Sequence, residues 1–396
     1  MKIGLVTGEF PPLEGGVGAF TQELARALSA AGHDIHVITS RKARPEGIEL
    51  SMSTRNDPVD LKFALLHPRI KRWRWPSMAN IVDIVLRYEL EVVNIQYQAA
   101  AYNMNSAAIN MLPWRMRGIT KTVVTFHDLR VPFLFPKAGS LRKTAVRFMA
   151  KNALGVIVTN AGDLQTLSAE IKTPAAQIPI GSNINAYTPN HIEIAESRDQ
   201  LKLRDRDCLL GYFGFLNESK GADILLQALS KLDVNTHLVF IGGQTGASDA
   251  TNVKYLEHIQ ALVAALGLTD RVHWTGFLSD TRVSSFLHSA DMFVMPYQDG
   301  ASLRRGTLMA VLAHGRPLIT TEPTEPTPEL VHRENVWLVP PGDAASLADA
   351  IQILGADSDL RQRLGADAAK TAGLFTWDQI AKSTVEFFAE LPDPKS

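Results

Sequence analysis

Short runs of apolar, often β-branched residues alternate with stretches whose apolar positions recur every three or four residues, and this alternation occurs twice along the 396-residue chain. In the first half the strand candidates are residues 2–7, 34–40, 92–97, 122–127 and 155–160. A helix over residues 18–31 follows the first of them, with Phe20, Leu24, Ala27 and Leu28 on one face and Gly32 ending it as a left-handed cap. In the second half residues 209–215, 237–243, 272–276, 292–297, 317–321 and 336–340 read as strands, with helices over 222–232 and 255–266 between them. The order is α/β in both halves and predicts two Rossmann-like, doubly wound domains, residues 1–189 and 208–374. The charged, apolar-poor stretch 190–207 reads as the linker, with a cleft between the domains. The run from Thr321 to Pro328, rich in Thr, Glu and Pro, reads as a stiff loop bracketed by strand and helix signals.

Composition narrows the class. Apolar residues make up 45% of the chain and 40 Lys and Arg face 41 Asp and Glu, the balance of a globular protein. No apolar run reaches the ~18 residues a bilayer span needs, and the apolar start, residues 3–7, is too short for a secretory signal. The lone Cys208 can form neither an internal disulfide nor a multi-cysteine metal site. A cytoplasmic protein is expected. The near-zero net charge hides an asymmetry: residues 1–180 carry a net +8 and residues 181–396 a net −9. A basic half suits phosphate, anionic lipid or an acidic substrate, or is solvated surface.

In an open parallel sheet the ligand sits beyond the carboxyl ends of the strands, so the residues following each strand carry the candidate chemistry. After the first strand, Gly8-Glu9-Phe10-Pro11-Pro12 leads to Gly15, Gly16 and Gly18 at a helix start, which suits either an anion site or a tight turn. The spacing is neither G-x-G-x-x-G nor a Walker loop. His127 and Asp128 end a strand; the imidazole can be structural or can hydrogen-bond a substrate hydroxyl, and the carboxylate can cap the next turn. In the second half, the run from Gly214 through Asn217 to Lys220-Gly221 places an ammonium at a helix start, the wrong end for a cation unless an anion binds there. Ser302, Arg304, Arg305, Gly306 and Thr307, before an apolar helix over 308–313, form a second anion cradle.

The ordered set of Gly8-Glu9-Phe10-Pro11-Pro12 with Gly15-Gly16-Val17-Gly18, Thr125-Phe126-His127-Asp128, Gly214 to Gly221, Thr275-Gly276-Phe277-Leu278, Asp291 to Pro296 and Leu312 to Ile319 resembles, over nearly the whole chain, the large retaining GT-B glycosyltransferase family. The type is family 4, glycosyl transferases group 1. The resemblance implies an acceptor on the first domain, a nucleoside diphosphate sugar on the second, and Lys220 on the donor diphosphate, with the loop containing Gly15, Gly16 and Gly18 facing it. It implies that His127 lies near the donor sugar and that Gly276 and Phe277 receive the base. Residues 375–396 resemble the family's last helix, which crosses back to the first domain. Retention of configuration and no metal or other cofactor are implied likewise, because cationic side chains and helix ends neutralise the leaving group. The acceptor can be a glycan, a lipid-linked sugar or a small molecule.

Two departures stand out. Counting back from Gly315-Arg316-Pro317, the family's paired glutamates fall on Ser302 and Ala310, and its diphosphate arginine falls on Phe215. Arg304 or Arg305 is the expected replacement for that cation, the loop 302–307 standing in for the acidic pair. The missing acids leave open a catalytically silent nucleotide- or glycan-binding partner protein, and a GT-B epimerase or phosphorylase is a further alternative. Basic and aromatic residues interleave from His67 to Trp75, in Trp114 with Arg115 and Arg117, and in residues 141–147. They suit a membrane-water interface at the inner face of the membrane, a sugar-stacking groove or a surface helix. No recognised nucleic-acid module accompanies them.

Overall fold

The computed structural model describes residues 1–394 apart from residues 14, 46–56, 130, 135–137, 183, 185 and 244–249. The chain forms two units: Met1–Ile180 with Trp377–Ser396, and Gly181–Thr376.

In the first unit the strands are β1 (Lys2–Thr7), β2 (Asp34–Ser40), β3 (Val59–Asp60), β4 (Leu65–Ile70), β5 (Val92–Tyr97), β6 (Lys121–Phe126), β7 (Gly155–Val158) and β8 (Ala175–Gln177). They lie in the order β3-β4-β2-β1-β5-β6-β7-β8, parallel except for the β3 edge. Helices cover both faces, which is why β1 and β5 are buried along almost their whole length. Val6, Ile38, Val93, Ile95, Val124 and Phe126 belong to the core. The direction in which successive strands are added reverses between β1 and β5, so the crevice at that switch point is framed by the loops after those strands. The terminal helix, Trp377–Glu390, packs in this unit against the helix Gly16–Ala30, with Phe20 and Trp377 edge to face at 5.2 Å.

The second unit holds β9 (Cys208–Phe213), β10 (Thr236–Ile241), β11 (Val272–Trp274), β12 (Met292–Met295), β13 (Leu318–Thr321) and β14 (Trp337–Val339). Their order, β11-β10-β9-β12-β13-β14, is the 3-2-1-4-5-6 arrangement of a dinucleotide-binding fold, all parallel, with its switch point between β9 and β12.

Three expectations need correction. The stretch 190–207 does not read out as an irregular linker: it carries the helix His191–Gln200 inside the second unit. Asn190 and Glu193 close a capping box at its start. Arg198 ties it down by donating to the Ser289 carbonyl at 2.9 Å and the Asp207 carbonyl at 2.6 Å, so charge here is structural. The basic-aromatic run from His67 is not one surface helix. Residues 67–70 lie in β4, where His67 is buried and its ring sits 2.9 Å from that of His36, and the helix Trp75–Tyr88 begins only afterwards. The strands β3, β4 and β8 were not expected: β3 and β8 have only two and three residues, and β4 carries His67, Pro68 and Arg69 within its apolar run.

Candidate functional site

In the second unit the loops after β9 and β12 flank the switch point, and they interlock. Gly221, at φ +67°, starts the helix Ala222–Leu229; a Cβ there would stand 2.1 Å from the Pro296 carbonyl oxygen. Gln298 donates its backbone N–H to Ser219 at 2.8 Å and its side-chain amide to the Glu218 carbonyl at 3.1 Å. At Gly214, φ +113°, a Cβ would meet Thr307 Cγ2 at 2.8 Å and Lys220 Nζ at 3.4 Å. Only glycine fits that backbone and that space. Lys220 and Thr307, 87 positions apart in sequence, therefore converge on one point.

Lys220 Nζ donates to the Phe215 carbonyl at 2.7 Å. Burial, reinforced by the nearby Arg305 guanidinium, holds its ammonium pKa down at about 8. Two cations thus sit together, Lys220 with its ammonium buried and Arg305 part-exposed, an arrangement that favours an incoming anion. Arg305 stacks 3.9 Å above the Tyr297 ring and pairs with Asp299. Gly306 and Thr307 open the helix Gly306–Ala313, which has no side-chain cap and no acidic residue in its first turn, so its positive end is uncompensated. Arg304 turns onto Ser302, whose hydroxyl oxygen lies 3.3 Å from the Arg304 amide and 3.4 Å from its Nε. Arg305 is therefore the cation that joins Lys220. Asn217 serves the turn: its carbonyl accepts from Lys220 N at 3.1 Å and its side chain from Ser219 at 2.9 Å.

Phe215, where the resemblance implies an arginine, lies along the carboxyl edge, and a Cβ on Gly243 would meet its ring at 2.9 Å. Gly242 forms a bridge to Gly276, which is at φ +69°, and Phe277 beyond it is 76% exposed. Ala310, where the resemblance implies the second glutamate, is fully buried. Sequence counting alone did not distinguish that position from a ligand-facing one.

In the first unit the glycine loop after β1 holds a carboxylate of its own chain. Glu9 Oε1 accepts from Val17 N at 3.2 Å and Gly18 N at 3.4 Å, and a Cβ on Gly15 would collide with the Glu9 carboxylate at 2.0 Å. Burial raises the Glu9 pKa, against the pull of those two amides. The amides at this helix start are thus taken by Glu9 of the same chain, and among the described residues nothing lies within 4 Å of a Cβ on Gly16. Glu9 was not singled out from the sequence, although a carboxylate directly after Gly8, between a strand and a glycine-rich helix start, is the available signal.

His127 follows β6. Phe20 meets its ring edge to face at 4.7 Å, which brings the start of the helix Gly16–Ala30 beside it. Burial lowers its pKa to about 4, so the imidazole is neutral at pH 7. Its Nε2 lies 2.9 Å from Gln96 Oε1. Asn94 and Gln96, polar residues in a fully buried strand, were also missed; the N-x-Q alternation in an otherwise apolar run is what marks them.

Two family models match this chain: "Glycosyltransferase Family 4" over residues 14–183 and "Glycosyl transferases group 1" over residues 193–371. The chain is similar to a D-inositol 3-phosphate glycosyltransferase of Corynebacterium diphtheriae, 23% identical with 98% of this chain and 95% of that one aligned. The protein of the same name from Corynebacterium jeikeium is 28% identical, and there the match spans about half of each, 54% of this chain and 51% of that one. A phosphatidyl-myo-inositol mannosyltransferase of Mycobacterium leprae is 23% identical over 98% of this chain and 96% of its own. Among solved structures, the sucrose-phosphate synthase of Thermosynechococcus elongatus superposes with a TM-score of 0.76 at 22% identity, covering 98% of both chains. Anabaena HepE, solved with UDP and glucose, gives 0.75 at 18% identity, covering 99% of this chain and 100% of its own.

Proposed function

The chain belongs to the glycosyl transferases group 1 and family 4 glycosyltransferases of GT-B fold, and from that premise we propose that it moves a sugar from a nucleoside diphosphate donor to a hydroxyl-bearing acceptor, with retention and without a metal ion. The observation that carries the reading is the convergence of Lys220 and Thr307 on Gly214, with Arg305 adding its charge, at the switch point of the second sheet. Two cations and an uncapped helix start supply, in the protein, the positive charge that a departing diphosphate needs. Arg305 takes the part of the arginine replaced by Phe215. His127 is neutral and hydrogen-bonds a sugar hydroxyl rather than a phosphate.

UDP-sugars are the donors to assay first, since HepE was solved with UDP and glucose. The acceptor is a glycan, a lipid-linked sugar or a small molecule, and the relatives named for inositol phosphates make a phosphorylated polyol the first candidate. No helix among the described residues is long and apolar enough to cross a membrane. A cytoplasmic protein touching the inner membrane face is favoured by Trp75 and Trp114, 56% and 47% exposed beside basic residues.

The test is a mass-spectrometric screen of nucleotide sugars, with and without acceptors, against the purified chain. Transfer with retained anomeric configuration supports the reading. The buried Ala310 and the hydroxyl of Ser302, where acids would stand, favour a second reading, a nucleotide-binding partner protein without turnover. Binding of a nucleoside diphosphate with neither hydrolysis nor transfer across the panel would replace the first reading by the second.

A further inference from the structure

The sheet of the first unit contains a file of polar side chains where apolar ones would pack at less desolvation cost. Asn94 and Gln96, two positions apart on β5, share a face, and Thr125 on β6 is the register partner of Gln96. All three are buried. Asn94 Nδ2 donates to Thr125 Oγ1 at 2.9 Å, and Gln96 Nε2 donates to Asn94 Oδ1. With its amide nitrogen committed to Asn94, Gln96 has only its carbonyl oxygen to offer upward. That oxygen lies 2.9 Å from His127 Nε2, so the imidazole must donate there and carry its proton on Nε2. Nδ1 is left with its lone pair. It has no hydrogen-bond partner among the described residues, and His127 as a whole is only part-buried. Phe20, edge to face at 4.7 Å, fixes the plane of the ring.

We propose that Asn94, Gln96 and Thr125 form a positioning relay that locks His127 as the Nε2–H tautomer and presents Nδ1 as the acceptor for a hydroxyl of the sugar substrate. The substrate half of this statement rests on the reading of His127 given under Proposed function; the tautomer half does not. An acceptor-only, uncharged nitrogen selects a hydroxyl that can donate and gives nothing to a phosphate oxygen. Gln96 acts through His127 and touches no substrate itself. A reversed file, with Asn94 donating to Gln96 and Gln96 donating to the ring, would place the proton on Nδ1 and abolish that selectivity.

The experiment uses the full chain with ¹⁵N-labelled histidine. Among the 11 histidines the His127 signals are assigned by their loss in His127→Asn. At pH 7 the wild type is expected to show a protonated Nε2 and an unprotonated Nδ1. Gln96→Leu should give a mixture of tautomers and lower kcat/KM about tenfold, the worth of one hydrogen bond. Gln96→Glu, which can only accept, should restore the Nε2–H tautomer and most of the activity while raising the imidazole pKa. A proton on Nδ1 in the wild type, or an unchanged tautomer in Gln96→Leu, overturns the relay. Should the leucine variant fail to fold, the wild-type and glutamate spectra decide alone. A tautomer as expected together with full transfer by His127→Asn overturns the substrate contact and leaves the relay standing.

Discussion

The proposed placement of Lys220 on the diphosphate makes binding depend on pH in a way that can be worked out in advance. Its free ammonium has a pKa of about 8, set by burial and by Arg305. A bound diphosphate, whose last ionisation is complete by about pH 7, favours the charged lysine and raises that pKa. The sign follows directly. Below pH 8 the lysine is already protonated and affinity is flat; above pH 8 binding must take up a proton, and affinity falls by about tenfold per pH unit, or ~1.4 kcal/mol. Between pH 7 and pH 9 the protonated fraction drops from about nine-tenths to about one-tenth, so the dissociation constant of a nucleoside diphosphate should rise about tenfold. Titration calorimetry with UDP across that range reads the slope, and repeating pH 8 in buffers of different ionisation heat reads the proton uptake, about half a proton per UDP. Lys220→Met should weaken binding at pH 7 by about 1.5–3 kcal/mol, the range for a charged hydrogen bond, and flatten the profile. A wild-type affinity constant from pH 7 to 9, or a slope that survives in the methionine variant, would refute the placement of Lys220 on the diphosphate.

Two further outcomes bear on the same loops. Asp299 pairs with Arg305 from a half-exposed position, so Asp299→Asn should free the guanidinium and tighten UDP binding by about two- to fivefold, the worth of an exposed ion pair; unchanged or weaker binding would take Arg305 out of the site. Gly214→Ala meets both a φ of +113° and Thr307 at 2.8 Å, and should cost about 1–3 kcal/mol of stability as well as UDP affinity, read by thermal unfolding and calorimetry on the same sample.

Much of the fold was legible because buried parallel strands leave continuous apolar runs: the expected 2–7, 34–40 and 92–97 coincide with β1, β2 and β5. The loops holding Lys220 and Arg305 were legible because glycines and cations stand directly after strands, where a switch point collects them. What failed to show is polar matter in buried places. His67 in β4, Asn94 and Gln96 in β5, and Arg198 in the helix His191–Gln200 each satisfy partners distant in sequence, His36, His127 and the Ser289 carbonyl among them, and local composition carries no trace of a partner 31 or 91 residues away. Glu9 bonding back to Val17 and Gly18 is the same effect over 8 or 9 residues.

Ser302 and Ala310, where the resemblance implies glutamates, are two different cases, and the structure predicts different responses to placing glutamate at each. Ser302 is part-buried in a loop beside Arg304, so Ser302→Glu places a carboxylate where a guanidinium and solvent can receive it, and stability should stay within about 0.5 kcal/mol. Ala310 is fully enclosed on the helix Gly306–Ala313, between Met309 and Val311 that are themselves buried, and its carbonyl accepts from the His314 ring at 2.7 Å. A carboxylate there must displace core atoms and lose its water, at a cost of about 3 kcal/mol or more. For a unit of this size that corresponds to a fall in Tm of roughly 6–12 °C. Circular dichroism melts of the two variants beside wild type measure the contrast. An Ala310→Glu chain that melts with the wild type would mean the position opens onto a ligand, and glutamate could then be reinstated as a ribose contact. A large loss means the helix is packed around alanine, and under the proposed reading a ribose must find its acceptors on other residues of the carboxyl edge.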